Sequence, residues 1–211
     1  MFSRTRIKIC GLTNADDARA AVRFGADALG IIAIESSPRY VHPEVSSDIF
    51  REAKPFVPII VLKRRVDEYV GYESGYVQFY EGKAEKYVHC LKVFRIKDAT
   101  SLEQMVWYNE PVAGVVLDAY HETALGGTGE TFDWSLAITA KGLLPNLPII
   151  LAGGLTPENV GDAVRQVRPY AVDVSSGVES EPGRKSHDKL RRFIEAVRDA
   201  DREIAASDTQ E

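Results

Sequence analysis

Hydrophobic and polar positions follow two alternating patterns along the chain. Short runs rich in β-branched and aromatic residues are separated by segments whose apolar residues recur at i, i+3, i+4 and i+7. The short runs predict strands at 7–10, 28–34, 57–62, 76–80, 91–96, 114–118, 148–151 and 171–174. The helical spacing is carried by Ala18, Ala21, Val22 and Gly25, by Val160, Ala163, Val164 and Val167, and by Leu190, Phe193, Ile194 and Val197.

Strands that alternate with amphipathic helices predict a parallel sheet, and eight such units predict an α/β fold, a single (β/α)8 TIM barrel over residues 1–211. An open doubly wound sheet is the alternative. Asn14, Thr156 and Ser186 are suitable caps for helix starts. The connections at 63–75 and 81–90 are short, so the third helix is expected to be shortened or missing. The polar tail, about 200–211, is expected to fray.

Composition limits the classes of function. A chain of 211 residues with 45% hydrophobic residues is able to bury a substantial core, and its net charge of -5 argues against a dedicated nucleic-acid binder. The basic cluster Lys63, Arg64 and Arg65 is interpreted as a solvated strand end. Two cysteines are too few for a disulfide framework, and no window is apolar enough for a membrane helix. We therefore expect a reduced, cytoplasmic protein that binds neither nucleic acid nor membrane.

Two loops with small and hydroxyl residues follow the last two predicted strands. Gly153 and Gly154 come directly after the seventh strand, and Ser175, Ser176 and Gly177 come directly after the eighth. Such residues leave backbone N–H groups accessible to an anion, and in these barrels the same two loops often hold phosphate. The sequence therefore predicts a phosphate-binding site and a small phosphorylated substrate.

Candidate acid–base residues lie at two strand ends. Cys10 ends the first strand and Asp118 ends the sixth, so a thiol and a carboxyl are able to share one barrel mouth as base and acid. A core cysteine and a loop cap are the alternative interpretation. Strand alternation places Lys8 on the face of Cys10, and Asp173 on the face of Ser175. Because strands one and eight are neighbours, we predict a buried Lys8–Asp173 ion pair. The pair either supports the floor of the site and favours the Cys10 thiolate, or has a purely structural role.

Arginines and glycines supply further candidates. Arg39, after the second strand, and Arg95, ending the fifth, are candidates for a substrate carboxylate, although either could be a surface arginine. Gly126, Gly127 and Gly129 lie in a long connection that is either a mobile lid or an unstructured tip. The four histidines lack the spacing of metal ligands, so no metal site is assigned.

The chain resembles the phosphoribosylanthranilate isomerase family of tryptophan biosynthesis in five segments. They read KICGLTNADDARAAVRFGADALG, SSPRYVHPE, VVLDAYHETALGGTGETFDW, ILAGGLTPENV and PYAVDVSSGVESEPGRKSHDKL. The resemblance implies a barrel that isomerises N-(5-phosphoribosyl)anthranilate to 1-(2-carboxyphenylamino)-1-deoxyribulose 5-phosphate without cofactor or metal. It further implies that Cys10 is the general base, that Asp118 is the general acid and that Arg39 contacts the anthranilate carboxylate. The AGG and SSG loops match the family's phosphate cup.

The middle of the chain departs from this family pattern. Where the family carries GVF, a full helix and VQLHGDE, this chain has IIVLKRRVDEYVGYESGYVQFYEG, with Tyr80 in place of the histidine. Glu130 stands where the family has a lysine in GGTGK, and the second strand lacks an aromatic residue at its exit. Two alternatives remain: a related aminosugar-phosphate isomerase that uses two aspartates, against which Cys10 speaks, and a catalytically silent phosphate-binding barrel. The chain is expected to be a monomer or a homodimer.

Overall fold

Eight parallel strands form a closed barrel in the computed structural model, which describes residues 4–53, 57–67, 71–72, 74–84, 89–120 and 131–209. The strands follow chain order around the barrel, and β8 closes it by pairing with β1. They are β1 Arg6–Ile9, β2 Ala28–Ile32, β3 Ile59–Arg65, β4 Tyr76–Glu81, β5 Cys90–Ile96, β6 Gly114–Ala119, β7 Ile149–Leu151 and β8 Ala171–Val174. The predicted (β/α)8 barrel is confirmed, and the open sheet is excluded by the β1–β8 pairing.

Helices cover the outside of the barrel. They are α1 Ala15–Phe24, α2 Pro43–Glu52, α3 Trp134–Leu143, α4 Val160–Val167 and α5 His187–Asp208, and a 3-10 helix, Ala99–Met105, connects β5 to β6. The predicted caps form at two helices: the side chains of Asn14 and Ser186 accept hydrogen bonds from backbone N–H groups at the starts of α1 and α5. None of the described helices is both long enough and apolar enough to cross a membrane.

Alternation along the strands produces two separate apolar layers. Side chains that point outwards, such as Ile7, Ile9 and Leu29, pack with the helices in the main core. Side chains that point inwards, such as Ile32, Val116 and Ile150, fill the barrel interior in a smaller cluster that also contains Cys10. The inner layer is therefore a packed floor beneath the carboxyl ends of the strands.

The connection between β3 and β4 is where the sequence predicts a shortened or missing helix. Residues 66–67, 71–72 and 74–75 form no helix, in line with the expected loss of the third helix, while 68–70 and 73 lie outside the described residues. Strand β3 continues three residues beyond its predicted end at Leu62 and ends at Arg65. This extension carries the basic cluster into the strand.

The tail was expected to fray from about residue 200, but residues 200–208 are helical. Helix α5 continues to Asp208, and Ala200, Asp201 and Ile204 are buried. The Asp201 carboxylate accepts from the backbone N–H of Thr5, at 3.1 Å for each oxygen, so the helix is tied to the start of β1. Composition indicated a polar tail, but one apolar face at helical spacing is enough to dock it.

After β8 the chain forms a small hairpin before α5 begins. Its strands are β9 Glu179–Glu181 and β10 Arg184–Lys185, which pair antiparallel. The hairpin turns two charged side chains, Glu179 and Lys185, towards the barrel, and both are buried. It therefore supplies groups to the mouth of the barrel that no strand of the barrel itself carries.

Candidate active site

A cavity of about 300 Å³ lies at the carboxyl ends of the strands. Nine of the predicted site residues line it: Cys10, Arg39, Asp118, Gly153, Gly154, Asp173, Ser175, Ser176 and Gly177. These residues come from six different places in the sequence: after β1, β2, β7 and β8, and within β6 and β8. The fold therefore brings together the groups that the sequence analysis singled out.

Cys10 is held rigidly at the end of β1. Its backbone N–H donates to the carbonyl of Val174 on β8 at 2.8 Å, and its side chain is buried. Gly30 on β2 makes room for the thiol, because a Cβ at this position would lie 2.7 Å from Sγ of Cys10. Burial raises the pKa of the Cys10 thiol above its ordinary value, and the opposing effect of the nearby Lys8 charge is too small to reverse it.

Asp118 lies at the end of β6 with its carboxyl in the same cavity. Burial, reinforced by the negative charge of Asp173, raises the pKa of Asp118 to about 7, although Arg95 and Lys8 act in the opposite direction. A carboxyl with this pKa is partly protonated at neutral pH, which is the state a general acid requires.

The predicted ion pair between Lys8 and Asp173 is confirmed. Nζ of Lys8 lies 2.6 Å from Oδ2 of Asp173, and both side chains are almost completely buried. The other carboxylate oxygen of Asp173, Oδ1, is buried and has no hydrogen-bond partner among the described residues. The pair stands beneath the cavity and presents one unpaired acceptor to it. The Lys8 charge lowers the pKa of the Cys10 thiol, in the direction that favours the thiolate, but burial raises that pKa by more.

Arg39 is engaged by a residue that the sequence analysis did not single out. Its Nε and Nη2 donate to the two carboxylate oxygens of Glu179, each at 2.8 Å, and Glu179 also pairs with Lys185 at 2.8 Å. Burial alone would raise the pKa of Glu179, but the Arg39 hydrogen bond and the Lys185 charge outweigh it and lower that pKa. Nη1 is therefore the guanidinium nitrogen of Arg39 that Glu179 does not engage.

The loops after β7 and β8 pack against each other through glycine. Gly153 and Gly154 have φ values of 82° and 63°, and a Cβ on Gly177 would lie 1.8 Å from the carbonyl oxygen of Leu155. The N–H groups of Gly153, Gly154 and Ser176 find no acceptor among the described residues. Two backbone segments thus meet at a distance that excludes side chains, with donors left for an anion.

Arg95, one of the predicted supporting residues, is not among the described residues that line the cavity. Arg95 faces Asp118 across the β5–β6 pairing and weakly lowers the pKa of that carboxyl, while its guanidinium stacks 4.6 Å from the ring centre of Tyr120. Gly127, with the rest of the expected lid at 121–130, lies outside the described residues.

The cavity also contains residues that the sequence analysis did not assign to it. Arg64, an exposed residue at the end of β3 as interpreted, also lines it, and so does Gln78, whose buried Oε1 has no partner among the described residues. Tyr80 lines it beside them. Strand alternation was the available signal, since residues two apart share a face and Leu62 lies in the barrel interior. It was missed because β3 was expected to end at Leu62.

Comparisons with known proteins agree on one family. The profile of the family described as N-(5'phosphoribosyl)anthranilate (PRA) isomerase matches residues 7–196. A relative from Geobacter sp. (strain M21), named N-(5'-phosphoribosyl)anthranilate isomerase, is 44% identical over 203 residues, which cover 90% of this chain and 96% of the relative. One with the same name from Trichlorobacter lovleyi is 43% identical over 206 residues, covering 92% and 98%.

Solved structures give the same result. The phosphoribosyl anthranilate isomerase of Thermotoga maritima is 35% identical, with a TM-score of 0.80 over 92% of this chain and 99% of that one. A phosphoribosyl anthranilate isomerase solved with reduced 1-(o-carboxyphenylamino)-1-deoxyribulose 5-phosphate is 33% identical, with a TM-score of 0.77 over the same shares.

Proposed function

The chain belongs to the phosphoribosylanthranilate isomerase family of tryptophan biosynthesis, and we propose that it performs the family's isomerisation with Cys10 as general base and Asp118 as general acid. The substrate would be N-(5-phosphoribosyl)anthranilate and the product 1-(2-carboxyphenylamino)-1-deoxyribulose 5-phosphate. The observation that carries the proposal is that the thiol and the carboxyl line one cavity together with both glycine and serine loops.

The reaction divides into two proton transfers. Asp118 in its protonated form donates to the furanose ring oxygen, so that the ring opens to a Schiff base between C1 of the sugar and the anthranilate nitrogen. Cys10 as a thiolate then removes the proton from C2, and the resulting enolamine tautomerises to the ketone. In that tautomerisation C1 gains a proton and the C2 hydroxyl loses one. No redox partner is needed, because hydrogen has moved from C2 to C1 while the double bond has moved from C1–N to C2–O.

The protonation states restrict which enzyme molecules react. The active form needs Asp118 protonated and Cys10 ionised, although Asp118 is the stronger acid of the two. That form is therefore a minority of the molecules that carry one proton between the two groups. Its proportion is largest between the pKa of Asp118, about 7, and the higher pKa of Cys10.

Substrate binding is assigned to the rest of the cavity. We assign the phosphate to the N–H groups of Gly153, Gly154, Ser176 and Gly177, because two close loops with unused donors suit a tetrahedral anion. The hydroxyl of Ser175, buried and without a partner among the described residues, is a further donor.

We assign a contact with the anthranilate carboxylate to Arg39. A bidentate grip would have to use the Nη1–Nη2 edge of this arginine, because Glu179 occupies the Nε–Nη2 edge. Arg95 is assigned a supporting role as a charge near Asp118. No cofactor or metal enters the proposed steps.

Two wider predictions accompany this assignment. A cytoplasmic location stays a prediction from the cysteine content. A monomer or a homodimer stays the expected assembly; the Thermotoga maritima enzyme is described as dimeric.

Turnover of freshly prepared phosphoribosylanthranilate, followed by the loss of anthranilate fluorescence, tests the proposal. Cys10→Ala and Asp118→Asn should each lower kcat by roughly 10²- to 10⁴-fold, the usual contribution of one general acid or base. Cys90→Ala is the matched control: this second buried cysteine packs with Val66 and Phe79 outside the cavity and should keep near-normal turnover. Unchanged kcat in Cys10→Ala would contradict the assignment of the base.

A further inference from the structure

Arg64 is a cationic side chain in the cavity wall to which the proposed function gives no role. It lies in the last part of β3, two residues beyond the inward-pointing Leu62, and its side chain is exposed. Among the described residues it makes no hydrogen bond and no ion pair, whereas its neighbour Arg65 pairs with Asp67 and Glu81. An arginine in a binding cavity without an internal partner keeps all its donors for a ligand.

The charges of the cavity show which cationic side chains are available to a ligand carboxylate. The cationic side chains among the described residues that line it are Arg39 and Arg64. Arg39 shares its charge with Glu179, and its aliphatic stem is fixed beside Ser175, since a Cβ on Gly11 would lie 2.7 Å from Cδ of Arg39 and 2.6 Å from Oγ of Ser175. Arg39 therefore offers a ligand only the donors that Glu179 leaves unused.

Arg64 stands on the opposite side of the mouth. In the closed barrel β3 is four strands away from β7, the strand that precedes the Gly153–Gly154 loop. It is three strands away from β8 by the shorter way around the barrel and five by the longer. The proposed substrate carries its phosphate at one end of the ribose and its aromatic carboxylate at the other. If its phosphate is anchored at β7 and β8 and its carboxylate contacts Arg39 after β2, that carboxylate lies next to β3, the neighbour of β2.

We propose that Arg64 binds the carboxylate of the anthranilate ring together with Arg39 and is a specificity-determining residue of this enzyme. The inference rests on the proposed function, because it takes the substrate and the phosphate anchor from it. Arg64 supplies a planar pair of N–H donors, whereas the Nε and Nη2 donors of Arg39 are already bonded to Glu179. Its neighbour across the β3–β4 pairing is Tyr80, so both side chains at this point of the wall belong to the segment that departs from the family pattern.

Two binding probes separate this role from a general electrostatic one. The first is reduced 1-(o-carboxyphenylamino)-1-deoxyribulose 5-phosphate, and the second is the same compound without its carboxyl group. Arg64→Gln should weaken binding of the first probe by roughly tenfold, a moderate value because the side chain is exposed, and leave the second unchanged. Arg64→Lys should restore part of the loss.

Arg65→Gln is the matched control. It removes the same charge from the neighbouring residue, whose side chain points out of the barrel. It should leave both probes unchanged. Equal weakening of the two probes by Arg64→Gln, an equal loss in Arg65→Gln, or no loss at all would overturn the inference. Tight binding of the first probe by the unchanged protein and its Arg64→Gln variant alike overturns this inference alone, whereas no binding by the unchanged protein overturns the proposed function as well.

Discussion

The two sides of the barrel mouth are built in different ways. On the β7, β8 and β1 side, the site is made of backbone: glycines pack where a Cβ does not fit, and a buried ion pair lies beneath them. On the β3 and β4 side, it is made of side chains, Arg64, Gln78 and Tyr80, that project inwards from strands joined without a helix in their described residues. Backbone contacts allow little sequence change, whereas inward side chains are replaceable one at a time. The departure from the family pattern that runs through β3 and β4, with Tyr80 in place of the histidine, falls on the side that is built from side chains.

Removing one partner of the buried ion pair should give the largest effect. Lys8→Met leaves the Asp173 carboxylate buried without its cation and should lower the free energy of unfolding by roughly 3–5 kcal/mol. Lys92→Met is the matched variant on the other side: Lys92 is only partly buried and donates to the carbonyl of Tyr80, so the loss should stay within about 1 kcal/mol. Urea unfolding measures both. Equal losses would remove the claimed contrast.

Glycine replacements test the backbone contacts directly. Gly177→Ala places a methyl group against the Leu155 carbonyl and should cost roughly 1–3 kcal/mol of stability. The accompanying displacement of the loop should lower kcat/KM by roughly 10²-fold. Gly75→Ala, before β4, meets no atom within 4 Å and should leave both quantities close to normal. Thermal unfolding and steady-state kinetics of the two variants measure these quantities. If Gly177→Ala changed neither stability nor kcat/KM, the two loops would not be rigidly packed.

The smallest effect concerns the tuning of Cys10 by Lys8. Loss of the lysine charge should raise the pKa of the Cys10 thiol further and slow its alkylation by iodoacetamide, on the order of a few-fold at a fixed pH. The measurement uses a Cys90→Ala background so that a single thiol reacts. If Lys8→Met leaves both the alkylation rate and turnover unchanged, the role of the pair is purely structural.

The parts of the site that the sequence predicted depend on local pattern or on neighbouring strands. Cys10, Asp118 and the two loops were found because each directly follows an apolar run, and the Lys8–Asp173 pair was found because alternation and the closure of β1 on β8 fix it. The Arg39–Glu179–Lys185 cluster was not found, because Arg39 and Glu179 are 140 residues apart and meet only through a hairpin that no periodicity indicates. Arg64 was missed through an error in one strand end. The docked end of α5 was missed because polar composition outweighed its buried face.

The pH dependence of kcat/KM tests the assignment of base and acid most directly. For the unchanged protein, activity should rise as pH passes about 7, where Asp118 loses its proton and the singly protonated pair forms, and fall again above the raised pKa of Cys10. In Asp118→Asn the rise near pH 7 should disappear from the residual activity, leaving only a rise at higher pH as Cys10 ionises. A rise near pH 7 that persists in Asp118→Asn would contradict the account, because another group would then control the reaction.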